Sequence, residues 1–249
     1  MWATAVVTRQ PDERTVWAHF VRDPVHGPLP ALLLVLTVMS GLIDAVSILG
    51  LGRVFVANMT GNVVFIGFAL AGAPGFSLPA SIAALLGFLW GALLGGVLVG
   101  RFAGHRGLML RNTGAVEFAL MAMAFIVVLP SGGFPGDGVV VAVSALCAAA
   151  MGIQNTTARR LAVPDLTTTV LTMTLTGIAA DLRHSPALTT IRRILAVLAM
   201  LLGAVVGALL VLSSGLALAL GLALILLGGV VAVASVESRQ PAAWNVHAA

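Results

Sequence analysis

Charge is scarce in this chain of 249 residues: 13 basic and 9 acidic side chains amount to 9% of it. A soluble domain covers its surface with roughly a quarter of charged residues, so a soluble globular fold is excluded. Lysine and tyrosine are absent. All 13 basic residues are arginine, which reflects base composition more than chemistry. Cys147 is the single cysteine, so no internal disulfide forms, and no Cys/His cluster offers a zinc site. The five histidines (His19, His26, His105, His184 and His247) fall in tails and loops. No span holds one, no Gly-x-Ser-x-Gly occurs, and no nucleotide-binding loop is present. A membrane-embedded enzyme and ATP-driven transport by this chain alone are therefore not expected, and neither is a metal or cofactor. The alternating short segments of a β-barrel are missing as well. A net charge of +4 would suggest nucleic acid in a soluble protein. Here the arginines sit in short loops beside apolar runs, where they report membrane orientation. The expected partner is the lipid bilayer.

Hydrophobic residues make up 59% of the sequence and the mean hydropathy is +1.09. Breaks at Pro, Gly and Arg divide the body into eight apolar segments, over residues 30–51, 54–72, 78–100, 108–130, 138–158, 165–181, 188–212 and 215–236. Crossing the hydrocarbon takes about 20 residues. The second and sixth segments are the shortest and most polar. The second contains Asn58, Thr60, Gly61 and Asn62; the sixth contains a run of threonines from Thr167 to Thr176. Residues 1–29 read as a polar cytoplasmic tail without a signal peptide. Its Trp17, Phe20 and Val21 either rest on the membrane surface or belong to a solvated tail. Residues 237–249 form a second short tail.

The two polar segments correspond. A shift of 112 sets Met59-Thr60-Gly61-Asn62 against Leu171-Thr172-Met173-Thr174, and a shift of 111 sets Gly41-Leu42-Ile43-Asp44 against Gly152-Ile153-Gln154-Asn155. The expected organisation is two four-segment units, over residues 30–131 and 132–236. Arginine placement tests the topology. If all eight segments cross, the arginines divide seven against six. If the second and sixth enter and leave by one face, they divide twelve against one, with Arg53 alone on the far side. Positive residues gather on the cytoplasmic side, which selects the second scheme. The expected fold is an all-α polytopic membrane protein with six spanning helices, two short re-entrant or broken segments, and a pseudo-symmetric inverted repeat. Both termini then face the cytoplasm of a bacterial inner membrane.

"GLIDAVSILGLGRVFVANMTGNVVFIGFAL" and "GIQNTTARRLAVPDLTTTVLTMTLTGIAADL" resemble the paired signatures of the YoaK-type bacterial membrane proteins, domain of unknown function 1275. The resemblance runs from residue 30 to 236. Met173 stands where the family usually has glycine between Thr172 and Thr174. The resemblance implies a multi-span membrane protein and no particular activity.

Asp44 is the most informative side chain, because a carboxylate inside a span is costly unless it is paired, protonated or facing water. It is either a coupling group in a polar pathway or a structural acid bonded to Arg53 or to re-entrant backbone. Gln154 and Asn155 either line a polar cavity opposite it or are interfacial polar residues at a helix end. Asn58, Thr60, Gly61, Asn62, Thr172 and Thr174 either line or gate the pathway or pack tightly with hydroxyls bonded to preceding carbonyls. Glu117 is expected as an interfacial acid paired with Arg111, ahead of a role in transport, and Asp181 beside Arg183 reads the same way. The glycines at 87, 91, 95, 96, 203 and 207 form packing faces, within the chain or between chains of a homo-oligomer. The expected function is a small-solute transporter or channel with a polar central pathway. A non-transporting scaffold or sensor subunit is the alternative.

Overall fold

The computed structural model describes residues 23–131, 135–181 and 186–246, so the expectation for Trp17, Phe20 and Val21 lies outside the described residues. Six helices are long and apolar enough to span a membrane. They are α1 (Leu29–Gly50), α3 (Leu78–Arg101), α4 (Arg106–Val128), α5 (Asp137–Leu161), α7 (Ala187–Ser214) and α8 (Leu216–Glu237). Two short helices lie between them, α2 (Met59–Leu70) and α6 (Leu171–Ala180). At 1.5 Å per residue the short pair reach only about 15–18 Å, half of a hydrocarbon layer near 30 Å.

The boundaries have local causes. Pro30 stands in the first turn of α1, where its missing N–H costs nothing. The Ser77 hydroxyl accepts the Ala80 amide at the start of α3, and the His105 ring accepts the Leu108 amide at the start of α4. Ala162 ends α5 in a left-handed conformation. Gly215, at φ 86°, separates α7 from α8, a backbone angle that glycine adopts without strain.

The helix ends sort into two groups. At one end Asp23, ahead of α1, pairs with Arg192 of α7. Arg106 of α4 bonds His26 and the Leu161 carbonyl of α5. His105 bridges to Val246, beyond α8. At the other end Gly50 lies against Leu216, and Gly52 against Ser77 and Val140. The six long helices therefore alternate in direction. The chain that leaves α1 returns to the same end to begin α3, and the chain that leaves α5 does the same before α7. Neither α2 nor α6 crosses. Eight of the nine described arginines (Arg101, Arg106, Arg111, Arg159, Arg160, Arg192, Arg193 and Arg239) belong to the first end, and Arg53 to the other.

α1 and α5 are the most buried spans, while α3 and α7 lie outermost. Packing runs crosswise between the halves, α3 on α5 and α7 on α1, with α4 against α5 and α8 and with α8 also on α1. Glycine brings these backbones together. A Cβ on Gly41 would stand 2.1 Å from the Met200 carbonyl oxygen, and one on Gly152 2.3 Å from that of Phe88. Of the glycines expected on packing faces, those at 87, 91, 95, 203 and 207 are packed within this chain, whereas Gly96 has nothing within 4 Å.

Each short helix follows an irregular lead, residues 51–58 for α2 and 162–170 for α6. α2 packs on α3 and α6 on α7, at the outside of the bundle. One guanidinium gathers both ends of the second excursion: Arg193 bonds Asp165 at 2.8 Å and Asp181 at 3.0 Å. Asp181 thus pairs with α7; Arg183, the partner expected for it, lies outside the described residues.

Candidate functional site

Asp44 sits two turns before the end of α1, roughly 9 Å from it at 1.5 Å per residue. Its Oδ2 accepts from Asn58 Nδ2 at 3.1 Å. Its Oδ1 is buried without a partner among the described residues. The Arg53 pairing considered for it does not form, because that guanidinium lies against Gly75. Asn58 immediately precedes α2, so the carboxylate meets the point where the incoming lead turns into helix. The other half repeats this arrangement with neutral groups. Asn155, two turns before the end of α5, accepts through Oδ1 from the Thr169 hydroxyl at 2.7 Å, and Thr169 lies in the last stretch before α6.

A third contact joins the halves. Gln154 Nε2 donates to Ser40 Oγ of α1 at 2.9 Å and to Thr168 Oγ1 at 3.0 Å, while its Oε1 has no partner. Ser40 in turn donates to the Leu36 carbonyl. Gln154 and Ser40 are both fully buried, and an unpaired polar atom at such a point carries a desolvation cost. Asp44, Asn58, Ser40, Gln154, Asn155, Thr168 and Thr169 thus follow the two central helices. At the arginine-rich end of this set, a cavity of about 440 Å³ is lined by Asn155 itself and by Thr156, Arg159, Thr167, Val170 and Phe88 among others. That is the size of a pocket for a small molecule. It contains one cation and no acid.

The remaining candidate residues hold the short helices in place. Asn62 is fully buried; its Oδ1 accepts the Phe55 amide at 2.8 Å and its Nδ2 donates to the Phe55 carbonyl. This satisfies the backbone of the α2 lead, which has no ladder partner of its own. Gly61 packs under the Phe55 ring, where a Cβ would come within 2.4 Å of it. Thr174 donates to the Val170 carbonyl. Thr60 and Thr172 are exposed on the outward faces of α2 and α6. Each precedes an inward residue by two positions, about 200° around a helix.

Glu117 corrects an expectation. Instead of an interfacial acid paired with Arg111, it is 2% exposed and its Oε1 has no partner. Arg111 donates to Asn112 Oδ1. Six residues along a helix turn about 240°, so the two side chains leave α4 on different faces. Thr168 and Thr169 were visible only as members of a threonine run, with nothing to mark them as partners of α5. The Arg193 clasp joins residues far apart in sequence and had no local signal. Among the described residues no group of three His, Cys, Asp or Glu side chains converges as a metal site.

Comparison with known proteins matches residues 32–233 to the family described as "Protein of unknown function (DUF1275)". The chain is 35% identical over 156 residues to the UPF0700 transmembrane protein YoaK of Bacillus subtilis (strain 168). The alignment covers 61% of this chain and 66% of that protein, just under two thirds of its length. No solved structure matches.

Proposed function

The chain belongs to the DUF1275 family of multi-pass membrane proteins, and for it we propose a small-solute transporter of the bacterial cytoplasmic membrane, built from two inverted repeats. The observation that carries this reading is the matched pair of contacts Asp44–Asn58 and Asn155–Thr169. Each places a polar group of a central span at the mouth of an excursion that fails to cross. Irregular backbone at membrane depth is tolerated only where protein buries it or it lines a watery cavity. Broken segments of this kind commonly form transport sites at a repeat interface.

The repeat has further support in the packing. Gly41 meets Met200 and Ala204, and Gly152 meets Phe88 and Ala92. Residues 41 and 152 stand 111 apart, while 88 and 200, and 92 and 204, stand 112 apart. The two contacts thus exchange under the same shift that aligns the sequences. Three crossings per unit turn the second copy over, so the excursions enter from opposite faces. The arginine-rich end then lies in the cytoplasm, with both tails on that side. The residue that corresponds to Asp44 under the shift of 111 is the neutral Asn155, so any charge coupling belongs to the first repeat.

Two measurements test this. In a Cys147→Ala background, a cysteine at Ala73 is labelled from the periplasm and one at Arg160 from the cytoplasm. In proteoliposomes, at least one of a panel of amino acids, sugars and organic anions enters faster than into protein-free vesicles. Asp44→Asn keeps an acceptor for Asn58 yet alters the rate or its pH dependence. Labelling of both cysteines from one side, or no solute above background, refutes the proposal.

A further inference from the structure

A second cavity, of about 390 Å³, opens at the arginine-rich end and meets the first at Ala162. Its walls include Pro24, Val25 and His26 ahead of α1, Leu161 at the end of α5, and Val246 beyond α8. Arg106, the first residue of α4, also lines it. Arg106 is 7% exposed, and its Nε is buried without a hydrogen-bond partner. Its other bonds go to the Leu161 carbonyl and to His26 Nδ1, the latter at 3.0 Å. None of these is an anion. The nearby carboxylate, Asp23, is already committed: it pairs with Arg192 and accepts the amides of Val25 and His26.

A guanidinium this buried, lining an open cavity and bonded to no carboxylate, lacks the anion that ordinarily accompanies such burial. We infer that this cavity binds a phosphate group. Nη2 is taken by Leu161 and His26 and Nε is sealed off, so Nη1, bonded to no described residue, is the donor left for an oxyanion oxygen. With Nδ1 accepting from Arg106, the His26 ring carries its proton on Nε2 and keeps a donor available. The remaining wall is apolar, suited to the glycerol neck of a lipid as much as to exclusion of water around a free ion. Basic pockets of this kind, at the cytoplasmic ends of spanning helices, hold lipid headgroups. The phosphate is either that of an anionic phospholipid or free in solution, and the site stands whether or not the chain moves a solute.

The test has two arms and two variants. Detergent-purified wild type is weighed by native mass spectrometry and assayed for phosphorus. After delipidation it is melted in increasing inorganic phosphate, with chloride at equal ionic strength as control. One phospholipid retained per chain assigns the site to a headgroup. Stabilisation of the delipidated protein by phosphate but not chloride assigns it to the free ion. In either case Arg106→Gln weakens binding about tenfold or more, as loss of a charge-assisted bond does. Because Arg106 also holds the Leu161 carbonyl, Val246→Trp supplies the control. It fills the cavity from its exposed rim, leaves the Arg106 bonds in place, and likewise loses the ligand. Failure of both arms in wild type, or full binding by Val246→Trp, overturns the inference.

Discussion

Gly41→Ala is the sharpest test of how the halves are joined. The added Cβ would lie 2.1 Å from the Met200 carbonyl oxygen and 2.9 Å from the Ala204 amide nitrogen. Ordinary van der Waals contact begins near 3.4 Å, so α1 and α7 must part by about 1.3 Å along their crossing. Both obstacles are backbone atoms, and no rotamer change relieves them. Overpacking of this kind costs about 1–3 kcal/mol, and weakened dispersion attraction along the widened seam adds to it. For a chain of this size each kcal/mol lowers the melting temperature by about 2–4 °C. Gly41→Ala should therefore melt roughly 3–10 °C below wild type, with Gly152→Ala affected alike through the Phe88 carbonyl. The single cysteine provides the assay, because Cys147 is fully buried and a thiol-reactive dye reports its exposure on heating in detergent. Gly96→Ala and Gly100→Ala are the controls, with nothing within 4 Å of the new methyl, and should melt like wild type. If Gly41→Ala and Gly152→Ala also melt like wild type, the backbones do not approach as closely as described.

Arg193→Ala removes both bridges that gather the ends of the α6 excursion, and a cysteine at Met173 should then react faster from the arginine-rich side; an unchanged rate counts against the clasp. Acid should loosen the contacts ahead of α1. Burial, then the Arg106 charge, holds His26 below the ordinary histidine range, Asp23 opposes this, and Arg192 adds to it. A histidine kept neutral by the fold leaves stability intact above its unfolded value near 6.5 and loses it as pH falls below. Burial raises Asp23, but the His26 and Val25 amides, followed by Arg192 and His26, bring it below the ordinary value. Its contribution is therefore lost only below about pH 4. Melting should fall between pH 7.5 and 5.5 in wild type, and by much less in His26→Gln. Asn62→Ala leaves the Phe55 amide and carbonyl without their partners, and should cost about 1–3 kcal/mol, read in the same dye assay.

The long spans were legible because length and apolar composition determine them: α1 was expected at 30–51 and runs Leu29–Gly50, and α7 was expected at 188–212 and runs Ala187–Ser214. The short helices were not, in one respect. Segments expected from residues 54 and 165 begin as helix only at Met59 and Leu171, because hydropathy does not distinguish an extended apolar lead from a helical turn. That they return to the end they left was readable from the lone Arg53. Their outward position was not, since apolar residues such as Val63 and Met173 face lipid as readily as protein. Asp44 stood out because a membrane carboxylate is rare, yet its partner Asn58 lies across a break whose geometry no periodicity describes. Glu117 was assigned to Arg111 by nearness in sequence, although helical rotation sends the two apart.

The crosswise packing also sets an order of events during synthesis. α1 leaves the ribosome early, yet the backbone that fits its glycine face belongs to α7, which follows only after α5 and the second excursion. At about 5–20 residues per second, α1 waits on the order of ten seconds or longer before that groove exists, with Asp44 already within the bilayer or its insertion machinery. Neither half is a finished folding unit, and truncation after α4 should yield a chain that inserts but does not close.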